Sequence, residues 1–220
     1  MPDFLTGRVI VVTGAGGRLA GHILHALALE GAKSVAIERP GKPAVAGAGT
    51  TYFADVSDER AVEQVFAEIH SAHGRIDGLV HTAGGWDGRP LAETSLAQWD
   101  AQLVANLTTA FLCFREAIRH MGDGGGRLVA IASAQGADSG VAEQAAYSAA
   151  KAGVVRLVEA VAAEYKPRGL YAFALAPSTI LYDGAPGPGV PADDLSHLCI
   201  DLFRPEARSM SGSVVRAYGM

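Results

Sequence analysis

Tyr147 and Lys151 lie four residues apart in Tyr147-Ser-Ala-Ala-Lys151, a spacing that puts both on one face of a helix. A free phenol, with a pKa of about 10, is a poor proton carrier at neutral pH. An ammonium beside it favours the phenolate and brings the phenol toward the working range. Ser133 lies upstream, and a hydroxyl beside the phenol can hold a substrate oxygen while the proton moves. Such a set suits proton transfer to or from an alcohol or carbonyl, coupled to hydride transfer. A core tyrosine followed by a solvated lysine has the same spacing. The pair rises above that bland reading because Asn106 and Ser133 precede it in order and a glycine-rich turn stands near the start of the chain.

Positioning these residues requires a scaffold, and the chain alternates apolar runs with helical patterns. That alternation predicts a single α/β domain over 1–220, a Rossmann-type doubly wound parallel sheet of about seven strands with helices on both faces. Strands are expected at 8–13 (RVIVVT), 34–38, 51–54, 77–82, 127–133, 170–176 and 213–217. Helices are expected at 18–30, at 58–73 with Ser57 as cap, at 95–121 as one long helix, and at 144–165. The stretch 178–194, dense in Pro and Gly, reads as a loop on the substrate side.

Thr13-Gly-Ala-Gly-Gly-Arg-Leu-Ala20 follows the first strand and opens the first helix. There, glycines let the backbone approach a pyrophosphate, whose charge sits on the helix N-terminal amides. Gly14, Gly17, Arg18 and Leu19 are the candidate contacts. Glu38 ends the second strand, where a carboxylate can accept ribose hydroxyls and repel a 2′-phosphate. Arg39 and Arg18 are the residues that could pair with a 2′-phosphate instead. NAD(H) is favoured over NADP(H).

The 220 residues are 49% hydrophobic and 19% charged, enough for one full core. The net charge of −5, with no basic run, speaks against nucleic acid as a partner. Cys113 and Cys199 stand in apolar surroundings and read as buried hydrophobes, and no metal site is expected. The start Met1-Pro-Asp-Phe-Leu5 runs almost directly into a strand, and no apolar stretch is long enough to span a bilayer. The expectation is a cytoplasmic protein without a membrane partner.

Taken in order, these residues resemble the short-chain dehydrogenase/reductase family over nearly the whole chain. Asp55-Val56 resembles the family's adenine-side acid and its neighbour, and His81-Thr-Ala83-Gly84 stands where the family usually has Asn-Asn-Ala-Gly. Asn106, Ser133, Tyr147 and Lys151 match the catalytic set, and Pro177-Ser-Thr-Ile180 resembles the stretch beside the nicotinamide. The resemblance implies that Tyr147 exchanges the substrate proton, while Lys151 lowers its pKa and binds the nicotinamide ribose. It implies that Ser133 bonds the substrate oxygen and that Asn106 holds a water linking Lys151 to solvent. The implied reaction interconverts a secondary alcohol and a carbonyl of a small molecule.

The chain also departs from that pattern. The usual Thr-Gly-x-x-x-Gly-x-Gly places its last two glycines on Arg18 and Ala20, whereas the spacing Thr-Gly-x-x-Gly-x-x-Ala fits Gly14, Gly17 and Ala20. Tyr182 stands where relatives often carry a threonine. Trp86 either faces the substrate cleft or packs on its rim, and Gln135 and Gln144 are further substrate candidates. Gly84-Gly-Trp86 is similar to quinonoid dihydropteridine reductase, which gives a second enzymatic reading. A dinucleotide-binding regulator with little turnover is the reading from another class. Relatives are commonly dimers or tetramers, so Phe111, Phe114, Val154 and Leu157 are expected either at an interface or on the sheet.

Overall fold

A computed structural model describes residues 4–219, so the expectation resting on Met1, Pro2 and Asp3 lies outside the described residues. Seven strands form one parallel sheet: β1 (Val9–Thr13), β2 (Lys33–Glu38), β3 (Thr50–Phe53), β4 (Gly78–His81), β5 (Gly126–Ile131), β6 (Leu170–Pro177) and the last strand, Val214–Ala217. Their order is β3-β2-β1-β4-β5-β6 followed by Val214–Ala217, every neighbouring pair being parallel. The order reverses between β1 and β4, and at such a switch point the strand ends leave a crevice.

Successive side chains of a strand point to opposite faces, so β1 feeds two cores. Val9 and Val11 join the layer with α2 (Glu59–His73), α4 (Thr109–Met121) and α6 (Ala145–Tyr165). Ile10 and Val12 join the layer with α1 (Arg18–Leu29) and the later helix Ala192–Asp201. β1 is buried throughout, which explains its unbroken apolar run.

Two expected helices differ in detail. Ser57 does not cap α2: Asp58 does, accepting from the Ala61 amide, while Ser57 donates to Asp55. The expected helix at 95–121 is interrupted. It runs as α3 (Leu96–Leu103), a π-helical turn (Val104–Thr108) and then α4. Ser95 caps α3 in a reciprocal bond set with Gln98. A π-turn inserts one residue and is common at functional sites, and here it contains Asn106. Gln144 precedes α6 rather than opening it.

The 178–194 stretch is folded. Its two short strands, β7 (Ile180–Leu181) and β8 (Val190–Pro191), pair in parallel, and α7 (Ala192–Asp201) begins at once. The last strand of the large sheet, Val214–Ala217, is hereafter β9. Phe114 and Val154 lie in the core, Leu157 packs against it, and Phe111 is 45% exposed.

Candidate active site

The candidate residues gather at the carboxyl ends of the strands. Gly14, Gly17, Arg18 and Leu19 follow β1, Glu38 and Arg39 end β2, and Asp55 and Val56 follow β3. Ala83 and Gly84 follow β4, Ser133 follows β5, and Pro177 closes β6 just before Ile180. Tyr147 and Lys151 sit in the first two turns of α6.

Lys151 is buried, and its ammonium donates to the Ile131 carbonyl at 2.8 Å. Burial pushes its pKa down to about 8. Its Nζ lies 5.9 Å from the centre of the Tyr147 ring. The expected lowering of the phenol's pKa is not found. Burial raises the Tyr147 pKa, and a hydrogen bond with Ser133 pulls it back only in part. The reason is that removing water from a phenolate outweighs a cation already turned toward a backbone carbonyl. Ser133 is buried and donates to Gln135 Oε1. Gln135 therefore holds the serine rotor, and Ser133 has only one proton to give.

Asn106 is buried and works as a clip. Its Nδ2 donates to the carbonyls of Gly85 (2.8 Å) and Gln102 (3.1 Å), and its Oδ1 accepts from the Gly85 amide at 3.2 Å. With its amide so engaged, the Asn106 side chain ties the loop after β4 to the π-helical turn. Gly84 lies between the two groups. A Cβ there would stand 2.7 Å from Asn106 Oδ1 and 3.5 Å from Lys151 Nζ. Gly136, in α5 (Ala134–Ala137), packs against the α6 backbone, where a Cβ would lie 2.5 Å from Lys151 Cβ.

His81 sits under this group and was not foreseen as a contact residue. It is fully buried between Thr13 Oγ1 (2.9 Å from Nδ1) and Thr109 Oγ1 (3.3 Å from Nε2). Thr109 already donates its single hydroxyl proton to the Ala105 carbonyl. It must therefore accept from Nε2–H, so Nδ1 accepts from Thr13. Burial first, and the Lys151 charge second, bring the His81 pKa down to about 3. The imidazole is neutral and ties β1 and β4 to the helix bearing Asn106.

The glycine turn fits a dinucleotide diphosphate. Gly14 has φ +63°, and a Cβ there would meet the Ala83 backbone at 2.8 Å. A Cβ at Gly16 would lie 2.7 Å from Glu38 Oε2. The turn therefore presents bare backbone, and α1 has neither a side-chain cap from Gly17 nor an acid in its first turn. Glu38 is buried and accepts from the Gly16 amide (2.5 Å) and the Arg39 amide (2.9 Å). A carboxylate accepts about four bonds, so it keeps capacity for hydroxyls. Asp55 accepts from the Ser57 hydroxyl (2.7 Å) and amide (2.9 Å), which with the Arg39 charge hold it below the usual carboxylate range. The Val56 side chain is part of the core.

Toward the substrate side, Trp86 is 62% exposed and its ring lies against Gly88, beside the Glu143 carbonyl. The Arg89 amide donates to that carbonyl at 2.6 Å, joining the loop after β4 to the start of α6. Gln144 Oε1 is buried without a protein partner. Among the described residues, no group of His, Cys, Asp or Glu could hold a metal ion, and no helix is long and apolar enough to cross a membrane. Cys113 and Cys199 are buried thiols, and burial pushes the latter up to about 12.

A family model for short chain dehydrogenases matches residues 8–185. The chain belongs to the short-chain dehydrogenase/reductase family, whose members are NAD(P)-dependent oxidoreductases. It is 35% identical to D-threitol dehydrogenase of Mycolicibacterium smegmatis over 190 residues, covering 81% of this chain and 73% of that protein. A short-chain dehydrogenase/reductase of Burkholderia xenovorans superposes with a TM-score of 0.88 at 29% identity, covering 98% of this chain and 96% of that one. A Burkholderia cenocepacia short-chain dehydrogenase, solved in complex with NADP, gives 0.86 at 25% identity, with 98% of both chains covered. The regulator reading gives way to an enzyme.

Proposed function

We propose that this enzyme interconverts a secondary alcohol and a carbonyl, with Tyr147 as the proton-exchanging group and NAD(H) preferred over NADP(H). The observation that carries the reading is the convergence of Ser133, Tyr147 and buried Lys151 beside a side-chain-free glycine turn. The whole chain acts as one dinucleotide-binding unit, with 178–194 on the substrate side. A bound nicotinamide would supply the hydride.

In reduction, Tyr147 gives its proton to the carbonyl oxygen while Ser133 turns from Gln135 to donate to the same oxygen. In oxidation the phenolate takes the alcohol proton, and the Lys151 ammonium stabilises that anion across the short gap to the ring. His81 stays neutral and leaves Lys151 as the cation of the pair. Trp86, Gln135 and Gln144 are the side chains assigned to the substrate side.

Support for NAD comes from Glu38, whose carboxylate is fixed at the edge of the turn where it would repel a 2′-phosphate. Arg18 is engaged elsewhere, by Asp183 at 2.6 Å. The exposed apolar residues Leu96, Val104 and Phe111 support a homodimer or homotetramer joined through this helical face. The test is a fluorescence titration with NADH and NADPH side by side. Tighter NADH binding is expected, and Glu38→Ala should weaken it. Tighter NADPH binding would shift the assignment to Arg18 or Arg39. Tyr147→Phe should lower turnover by about 10²–10⁴-fold and leave the NADH titration unchanged.

A further inference from the structure

The last strand is tied to the end of β6 and to α5. The Ser178 amide donates to the Ala217 carbonyl at 3.1 Å, and the Ser178 hydroxyl donates to the Tyr218 carbonyl. This brings Arg216 and Tyr218 to Asp138, the residue that closes α5. Arg216 Nε donates to Asp138 Oδ1 at 2.8 Å, and the Tyr218 hydroxyl donates to Oδ2. Each oxygen of the Asp138 carboxylate thus has its own donor from the C-terminal strand.

A helix of four residues is too short to hold itself, so its ends must be held from outside. Its near end follows β5 directly, where the Ala132 amide donates to the Leu175 carbonyl at 2.8 Å. Its far end runs into the exposed residues 139–143, and there Asp138 is the anchor. Between the two ends lie two contacts of the site: Gln135 accepts from the Ser133 hydroxyl, and Gly136 packs on the Lys151 backbone. We infer that Asp138 is a positioning residue: its bonds to Arg216 and Tyr218 fasten the far end of α5 and so hold Ser133 and Lys151 at the spacing that proton exchange needs. The inference rests on the proton-transfer reading above.

The tie lies at the surface, and exposed pairs add little to stability, so Asp138→Ala should melt as the wild type does. Its turnover should fall about tenfold while the NADH titration stays unchanged, since small displacements of reacting groups are costly. Asp138→Asn offers an oxygen to Arg216 and an N–H to the Tyr218 oxygen, and should recover most of the loss. The Tyr147 ring resonances report on the site without a substrate. They should shift in Asp138→Ala and return in Asp138→Asn. Full turnover in Asp138→Ala, or Tyr147 resonances at their wild-type positions, overturns the inference and leaves the proton-transfer reading standing. A loss of turnover matched by a lower melting temperature, with no recovery in Asp138→Asn, also overturns it, because the tie would then serve folding alone. Wild-type turnover in Tyr147→Phe overturns the reading itself, and the inference with it.

Discussion

His81 shows how much one side chain can decide here. Its two ring nitrogens are matched by two threonines, Thr109 with its proton already given to the Ala105 carbonyl and Thr13 free to donate to Nδ1, so the neutral tautomer with the proton on Nε2 is favoured. The folded pKa lies below the ordinary 6.5, so the contribution to stability is complete above pH 6.5 and is lost as pH falls toward about 3. Across that window the wild type should lose about 1.4 kcal/mol per pH unit more than His81→Gln. Denaturant melts at pH 7, 6 and 5 would show it, and parallel slopes for the two proteins would refute it. Tyr147 gives a second prediction at this scale. Its raised pKa favours the proton-bearing form, so alcohol oxidation should climb with pH up to about 8, where the Lys151 ammonium begins to be lost, while carbonyl reduction does not. An oxidation profile that peaks below pH 7 would contradict the assignment.

At the scale of elements, close packing at glycines sets the site. α5 can lie on α6 only because Gly136 has no side chain, and the contact falls on the Lys151 backbone. Gly136→Ala should displace α6, lower turnover at least tenfold by shifting Lys151 and Tyr147, and lower the melting temperature. Gly21→Ala makes a control, since a Cβ there meets nothing within 4 Å. If the two variants matched in melting and turnover, the packing argument would fail. The π-turn acts similarly. It re-aims Asn106 toward Gly85, so the loop after β4 is tied to the helix beside it.

Across the whole molecule, parallel strands bring residues distant in sequence to one edge, while the helices cover both faces of the sheet. Apolar side chains at 96, 104 and 111 remain on the outside of the α3–α4 rod. Light scattering should give a dimer or tetramer mass, and Phe111→Glu should reduce it. A monomer mass for the wild type would remove that assignment.

Much of this was legible in the chain itself. Alternating apolar runs and helical periods determine the sheet, because strands buried on both faces leave no choice of residue type. The ordered Asn106, Ser133, Tyr147 and Lys151, behind a glycine turn and Glu38, determine which residues meet, because each follows a strand or faces inward from a helix. Tertiary structure alone decided how they meet. Burial set the pKa directions of Tyr147 and Lys151, since desolvation depends on everything packed around a group rather than on its sequence neighbours. The π-turn at Asn106, the His81 tie and the Arg18–Asp183 pair depend on partners from 21 to 165 residues away, and no local pattern encodes such distances.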